Sequence, residues 1–248
     1  MMVWPGMLDL ALNPDLDIAG GLAQMARAGR AQVAKLLAPT SADALLSQVE
    51  AHSPWNTVAF FDGRHHDFDA ASIASSPRDQ VDLLWAHVHA AARNGFGYIY
   101  DNHPVYDAWR TGDPASHRPL DALVRFLNSE PFLALARQLV GAPDIAFADA
   151  QVTRFGPGHF LTQHDDDVAG RNRRAAYVLM LTKRWRPDWG GQLLFYDGQG
   201  DVTGGYTPSF NALNIFRVPA LHAVSQVSTF AAAPRFAVTG WLRAGPMP

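Results

Sequence analysis

The spacing of apolar residues changes along the chain, and the first 143 residues follow a mostly helical pattern. Apolar positions recur every three or four residues over 18–37, which predicts one helix there. A second helix is predicted through ADALLSQVEAH, with Thr40 or Ser41 as its N-cap, and a third over 78–92, ending at Asn94-Gly95. Two shorter helices suit PLDALVRFLNSE and PFLALARQLVG, and two segments between the helices are typical of strands, WNTVAFF and GFGYIYDN.

From residue 144 onward, short apolar segments rich in β-branched and aromatic residues alternate with Gly, Pro and Asp clusters. The predicted strands are IAFADAQVTRF, AAYVLMLT, GQLLFYDG, ALNIFRV, LHAVSQVS and RFAVTGW. Strands at this spacing predict a barrel or sandwich. The sequence shows no repeat or long linker, so we expect one domain over 1–248, with mostly helical support in 1–143 and a β-barrel core in 144–245.

Composition narrows the classes of partner and chemistry. The formal net charge of −3 gives no reason to expect nucleic acid, for which a basic domain is usual. The sequence has no cysteine, which excludes disulfides, thiolate metal sites and cysteine nucleophiles, and it has no Gly-x-Ser-x-Gly elbow. An N-terminus without a basic leader, and the lack of a long apolar run, lead us to expect no membrane association and a cytoplasmic location. Composition does not indicate the oligomeric state.

A possible metal site lies in FLTQHDDDVAGRNRR, where His164 and Asp166 stand two residues apart at a predicted strand end. Side chains at i and i+2 share one face of a strand, so these two would point together and Asp165 away. An imidazole and a carboxylate are two members of the 2-His-1-carboxylate set that binds non-haem Fe(II) with open positions. His222, at the start of a later strand, is the natural third member.

Two other histidine pairs compete with this interpretation. His65 and Asp67 have the same spacing within GRHHDFD, which we expect to be a solvated loop. His87 and His89 lie in a predicted helix, where neighbours two apart project to different faces. Neither pair is therefore expected to bind metal.

Arg235 lies in the strand PRFAVTGW, shortly after His222. An arginine that points into a barrel beside a metal can bind a carboxylate in bidentate fashion, here the distal carboxylate of a dicarboxylic cosubstrate. Thr239, four residues on and on the same strand face, can add a hydroxyl donor. A surface arginine on an edge strand is the alternative.

The ordered set of motifs resembles the 2-oxoglutarate/Fe(II) oxygenases of the prolyl-hydroxylase type, over residues 149–243. In chain order the motifs are RFGPGHFLTQHDD, RRAAYVLMLTKRW, WGGQLLFYD, PSFNALNIFRVPALHAVSQV and RFAVTGW. Within that group, the chain is most similar to the branch of peptidyl-proline 3-hydroxylases of ribosomal proteins and their bacterial relatives. The resemblance implies a mainly β fold, a double-stranded β-helix (jelly-roll) barrel with supporting helices.

The resemblance also implies a reaction and its site. His164, Asp166 and His222 match the iron ligands, while Arg235 and Thr239 match the groups that hold 2-oxoglutarate. The implied reagents are Fe(II), 2-oxoglutarate and O2, with ascorbate as reductant, and the implied reaction is hydroxylation of a C–H bond. The expected substrate is a prolyl residue of a protein or peptide. Phe155 and Met180 stand where relatives carry tyrosines that touch the cosubstrate, and Tyr177 is a further candidate pocket residue.

Substrate contacts and rival functions stay open at this point. Arg171 and Arg173, in the loop 167–174, are candidates for holding a substrate with carbonyl or carboxylate groups, and Asn214 could hydrogen-bond near the iron. The alternatives are a hydroxylase of a free amino acid or small metabolite, a non-catalytic barrel that binds a metal or dicarboxylate, and a zinc or manganese hydrolase.

Overall fold

A computed structural model describes residues 8–112 and 118–245, which form seven α-helices and one 13-stranded, mainly antiparallel sheet. The helices are α1 (Ile18–Ala28), α2 (Pro39–Glu50), α3 (Ala70–Ser75), α4 (Arg78–Asn94), α5 (Val105–Thr111), α6 (Arg118–Leu127) and α7 (Glu130–Val140). A short 3-10 helix covers Pro187–Trp189. None of the helices in the described ranges is both long and apolar enough to cross a membrane.

Four strands come from the N-terminal half and nine from the C-terminal half. The first group is β1 (Arg30–Ala34), β2 (Asn56–Phe61), β3 (Arg64–Asp69) and β4 (Tyr98–His103). The second group is β5 (Ile145–Ala148), β6 (Gln151–Phe155), β7 (Phe160–His164), β8 (Arg173–Met180), β9 (Leu193–Tyr196), β10 (Val202–Tyr206), β11 (Ala212–Arg217), β12 (His222–Val224) and β13 (Arg235–Ala244).

The sheet curves into a nearly closed barrel, so the predicted jelly-roll fold is confirmed. Its main order is β1-β11-β8-β13-β6-β4-β7-β12-β9-β10, with β2 and β3 continuing from β4 and β5 pairing with β13. The long strand β13 therefore has three partners, β5, β6 and β8. This order brings β7 and β12, which carry the predicted histidines, next to each other.

Alternation along β8 separates two layers of packing. Ala175, Tyr177 and Leu179 belong to the large core between the sheet and α2, α6 and α7. Ala176 and Val178, like Met180, belong to a smaller cluster inside the barrel. Residues i and i+2 of a strand share a face, so the same rule divides β13 into a helix-facing set and a barrel-facing set. The barrel interior is the side on which the candidate site lies.

The predicted helix over 18–37 is wrong in its second half. α1 ends at Ala28 because Gly29 adopts a left-handed conformation with φ 65°, which glycine tolerates at a helix end. The following residues form β1, which pairs with β11 in register from Arg30 to Ala34. Tertiary pairing thus overrides the local helical pattern here.

Three smaller predictions also differ. α2 begins at Pro39 after Ala38, not after Thr40 or Ser41, because proline's fixed φ suits the first helical position. The segment with His65 and Asp67 is an edge strand, β3, and not a loop. β10, which contains two consecutive glycines, was not predicted, since glycine is unfavourable in strands.

Candidate metal centre

His164 and His222 lie opposite each other on adjacent antiparallel strands. His164 is the last residue of β7 and His222 the first of β12, and their imidazole centroids are 4.1 Å apart. Each Nδ1 contacts a main-chain carbonyl, Thr162 O at 2.9 Å and Ala220 O at 2.7 Å. A carbonyl only accepts, so each Nδ1 carries a hydrogen and each Nε2 is the nitrogen left to face a metal, as in metal-binding imidazoles.

Asp166 completes the group from outside the strand. β7 ends at His164, and Asp166 adopts φ 64°, a left-handed conformation rare for residues other than glycine. Its Oδ1 lies 3.5 Å from Nε2 of His164, and its Oδ2 lies 3.4 Å from Nε2 of His222. The candidate ligand atoms of the three residues all lie within 4.8 Å of one another. The sequence therefore predicted the pair, but a backbone bend rather than strand alternation brings the carboxylate inward.

The charges of the group suit a divalent cation. Burial lowers the pKa of His222 to about 4, with a further contribution from His164, so its imidazole is neutral near pH 7. Burial alone would raise the pKa of Asp166, but the contacts with His164 and His222 outweigh it, and the net pKa lies below its ordinary value. A neutral imidazole and an ionised carboxylate are the forms that bind metal.

A small cavity of about 100 Å³ adjoins these side chains and also reaches Arg235. Water needs only about 10–15 Å³ measured this way, so the cavity has room for a small organic molecule. Its walls include these apolar residues: Phe155, Leu161, Val178, Leu193, Phe216 and Val224. The predicted metal residues and the predicted carboxylate-binding arginine therefore line one cavity.

Arg235 is fully buried and lacks a polar partner. Its side chain is 1% exposed, and none of its three guanidinium nitrogens has a hydrogen-bond partner among the described residues. The ring of Phe155 lies 5.1 Å from the guanidinium carbon. Burial lowers the pKa of Arg235 to about 10, so the group stays charged at neutral pH. An uncompensated buried charge costs several kcal/mol, so a carboxylate ligand fits this position.

Gly190 and Gly191 shape the wall beside Arg235. Both have positive φ, 69° and 65°, which other residues rarely adopt. A Cβ on Gly190 would lie 2.0 Å from the carbonyl oxygen of Gln226, and one on Gly191 would lie 3.2 Å from Cδ of Arg235. Gly190 therefore allows the turn before β9 to pack closely against Gln226, and Gly191 allows it to pack against Arg235.

The predicted cosubstrate residues Thr239 and Tyr177 differ in how their side chains lie relative to the cavity. Thr239 lies on the same face of β13 as Arg235 and lines the cavity, as predicted. Tyr177 also borders the cavity, but its side chain packs in the helix-facing core and its hydroxyl donates to Asp149 O at 2.7 Å. The hydroxyl is thus engaged on the other face of β8, and a contact of Tyr177 with the cosubstrate stays a prediction.

The predicted substrate residues are separated by the structure. Arg171 is exposed and lines a second, larger cavity. Arg173 is turned inward, donates to Asp166 O at 2.8 Å and is not among the residues that line either cavity, so its contact with substrate stays a prediction. Asn214 is buried and accepts from Gln32 at 2.8 Å, and it is not among the residues that line the cavity beside the metal group. Its predicted role near the iron is therefore not supported by its position.

Sequence reasoning missed Tyr100 and Trp241, which line both cavities. The Tyr100 ring stacks on Phe155 with centroids 4.7 Å apart, and burial raises the pKa of its hydroxyl, which stays a neutral donor. Tyr100 belongs to β4, in the half of the chain that the sequence assigned to support. The signal available was the alternation of aromatic residues in GFGYIYDN.

The competing histidine pairs lie apart from this group. Nδ1 of His65 contacts the hydroxyl of Tyr98 at 2.7 Å, and the His65 side chain is exposed on β3. His87 and His89 both lie in α4, as predicted. Within the described residues, the group of His164, Asp166 and His222 is the one whose ligand atoms converge.

Comparison with known proteins agrees with the resemblance seen in the motifs. Residues 150–243 match the model of the 2OG-Fe(II) oxygenase superfamily. Over 130 residues, the chain is 29% identical to the mouse (Mus musculus) protein named prolyl 3-hydroxylase OGFOD1. That match covers 50% of this chain and 23% of the mouse protein, so less than a quarter of the relative's length is spanned. The predicted resemblance to 2-oxoglutarate/Fe(II) oxygenases is confirmed.

Solved structures share the fold at low sequence identity. A Pseudomonas putida prolyl-4-hydroxylase superposes with a TM-score of 0.57 at 18% identity, covering 92% of this chain and 100% of the other. A Trichoplax adhaerens prolyl hydroxylase, in complex with a peptide fragment of hypoxia inducible factor, gives a TM-score of 0.53 at 17% identity. That superposition covers 92% of this chain and 89% of the other. At these identities the likeness concerns the fold alone.

The geometry predicts that Asp166→Asn and His222→Ala abolish stoichiometric binding of Mn(II). Binding is measured by electron paramagnetic resonance, in which the signal of free Mn(II) disappears as the ion binds to the protein. Each change removes one of three converging ligand atoms. The matched controls are Asp67→Asn and His65→Ala, which alter the pair with the same spacing on β3. Loss of binding in the β3 variants, with binding kept in the Asp166 and His222 variants, would contradict the assignment.

Proposed function

We propose that this chain, whose residues 150–243 match the 2OG-Fe(II) oxygenase superfamily, is a 2-oxoglutarate- and O2-dependent hydroxylase of prolyl residues in a protein. The observation that carries the proposal is the buried guanidinium of Arg235, which has no hydrogen-bond partner in the described part of the chain and lines the same cavity as His164, Asp166 and His222. A metal site alone would fit many enzymes. A metal site with a carboxylate-sized cationic pocket beside it fits a dicarboxylic cosubstrate.

Different residues would bind the iron and the cosubstrate. His164, Asp166 and His222 would hold Fe(II) and leave its other positions open. Arg235 would pair with the distal carboxylate of 2-oxoglutarate, and the Thr239 hydroxyl would donate a second hydrogen bond. When bound, the iron and cosubstrate supply the oxidising chemistry, in which 2-oxoglutarate and O2 yield succinate and CO2 while a substrate C–H becomes C–OH.

The walls of the cavity support this use. Leu161, Val178, Leu193, Phe216 and Val224 present apolar surface around the charged groups. An apolar enclosure excludes water, which strengthens the ion pair between Arg235 and a carboxylate. It also limits side reactions of a strong oxidant, which is the protein's part in such chemistry.

A second cavity supports a protein substrate. It measures about 540 Å³ and shares Tyr100, Gln151, Thr239, Gly240 and Trp241 with the smaller cavity. That size is within the range of pockets that enclose ligands much larger than one amino acid. Its outer wall carries charges of both signs, from Asp107, Arg110 and Arg171. A polypeptide segment that places one residue beside the metal group fits this pair of adjoining cavities.

The proposed function also includes a reductant, a location, the extent of the domain and an alternative substrate. Ascorbate would serve as the reductant that keeps the iron ferrous. The location would be cytoplasmic, and the chain would act as one domain over 1–248. The alternative substrate, a free amino acid or small metabolite, is favoured by Phe155 and Met180, which stand where prolyl-hydroxylase relatives carry cosubstrate tyrosines.

The cosubstrate part of the proposal predicts succinate formation from 2-oxoglutarate by the purified protein with Fe(II), O2 and ascorbate. Arg235→Gln should raise the 2-oxoglutarate concentration for half-maximal turnover on the order of 100-fold, since charged hydrogen bonds contribute about 1.5–3 kcal/mol each. Arg184→Gln, at an exposed arginine, is the control and should match the unchanged protein. Equal half-saturation in both variants would remove Arg235 from cosubstrate binding.

The substrate part predicts that peptides, and not free amino acids, stimulate succinate formation above its basal rate. A tryptic digest of a bacterial lysate supplies the peptides, and the same digest hydrolysed in acid supplies free amino acids from the same source. Mass spectrometry should find one added oxygen atom on prolyl residues of the stimulating peptides. Stimulation by the hydrolysate alone would favour the small-molecule alternative, and stimulation by neither would count against the peptide substrate.

A further inference from the structure

Arg173 begins β8, and its guanidinium lies beside the candidate metal group without belonging to it. Nη1 donates to the main-chain carbonyl of Asp166 at 2.8 Å and lies 3.8 Å from Oδ1 of the same residue. The guanidinium carbon is 3.6 Å from the centroid of the Trp241 ring. The side chain of Arg173 is 12% exposed, whereas that of the next residue, Arg174, is 41% exposed and pairs with Asp144.

Asp166 needs to be held in place by something other than a strand. It lies beyond the end of β7, and its φ of 64° belongs to a region that costs about 1–3 kcal/mol for most residues. Such a conformation persists only where the surrounding structure fixes it. The hydrogen bond from Arg173 reaches the main chain of this very residue, so it acts directly on the strained backbone.

The stack on Trp241 fixes Arg173 in turn. Trp241 lies on β13, and its main-chain N–H donates to Oδ1 of Asp149 at 2.7 Å. The carboxylate of Asp149 also pairs with Arg243, whose Nε lies 2.7 Å from Oδ2. The ring therefore sits on a rigid part of the barrel. A chain of contacts runs from β13 through the Trp241 ring and Arg173 to Asp166.

A role for Arg173 in contacting substrate does not fit these contacts. Its Nη1 is already engaged by Asp166, and Arg173 is not among the residues that line either cavity. Its planar group is covered on one face by the indole. By contrast, Arg171 is exposed on the wall of the larger cavity. The two arginines, although only two residues apart, therefore have different surroundings.

We propose that Arg173 is a positioning residue that holds the Asp166 carboxylate in its metal-binding orientation. It acts through Asp166 and does not itself bind the metal. The inference rests on the proposed function only in taking a divalent metal as the ligand of Asp166. Outer contacts of this kind orient metal-binding side chains, and their loss typically lowers metal affinity about 10–100-fold.

The chemistry of the contact requires arginine in particular. The planar guanidinium can stack on an indole face and donate along its edge at the same time. A lysine keeps the positive charge near Oδ1 but offers neither the flat face nor the fixed direction of donation. A glutamine can donate one hydrogen bond but carries no charge. Metal affinity should therefore fall in the order Arg, Lys, Gln at this position.

The test measures Mn(II) affinity of the full chain without 2-oxoglutarate. Arg173→Gln should bind Mn(II) about 10–100-fold more weakly, and Arg173→Lys should be intermediate. The matched control is Arg174→Gln, which breaks an exposed ion pair at the neighbouring position and should stay within about twofold of the unchanged protein. At saturating Co(II), the visible absorption of Arg173→Gln should differ from that of the unchanged protein, because the carboxylate is held differently.

A merely structural role makes a different prediction. Arg173→Gln would then melt at a lower temperature but keep its Mn(II) affinity and Co(II) spectrum, and that result overturns the proposal. If Arg173→Gln does not fold, the test uses Arg173→Lys instead. Unchanged Mn(II) affinity in that variant also overturns the positioning role.

The proposed function can fail independently. Weaker Mn(II) binding by Arg173→Gln, in a protein that never turns over 2-oxoglutarate, supports the positioning role and refutes the oxygenase. Normal affinity of Arg173→Gln, in a protein that forms succinate, refutes the positioning role alone. An unchanged protein that binds no Mn(II) overturns both.

Discussion

The antiparallel pairing of β7 with β12 is the interaction on which the candidate site depends. It sets His222 directly opposite His164, although the two residues are far apart in sequence. Their Nδ1 hydrogens are fixed by carbonyls of the same two segments, so the register also decides where each Nε2 points. Once the two imidazoles face each other, Asp166 needs only one backbone bend to complete the group. The strand pairing that closes the barrel therefore also assembles the metal group.

The site contains two energetically unfavourable features, and a bound carboxylate would relieve the one at Arg235. The guanidinium of Arg235 is buried without a counter-ion among the described residues, and Asp166 itself has a strained backbone conformation. Folded proteins tolerate such features where function uses them, because the rest of the core supplies the stability. Here that core lies between the sheet and the helices α2, α6 and α7, on the side of the sheet away from the cavity. Stability and binding thus occupy opposite faces of the same strands.

The order and spacing of motifs predicted the barrel, the three metal-binding candidates and Arg235 from the sequence alone. The differences between sequence and structure have a common cause. The sequence gives the type of each residue but not the face of the sheet to which its side chain points. Tyr177 borders the cavity, yet strand alternation packs its side chain into the helix-facing core. Arg173 was taken for a loop residue open to substrate, yet it begins β8 and points inward. Tyr100 was missed because β4 joins the barrel through pairings that are distant in sequence.

We propose the metal group and Arg235 as a single site for iron and 2-oxoglutarate. The most direct measurement is an anaerobic absorption titration, in which 2-oxoglutarate is added to the Fe(II)-loaded protein. A cosubstrate bound to iron through its keto acid gives a visible charge-transfer band, so we expect a band that saturates at one equivalent. It should be absent in His222→Ala, where a metal ligand is lost. No band in the unchanged protein, together with no 2-oxoglutarate binding by calorimetry, would contradict the account.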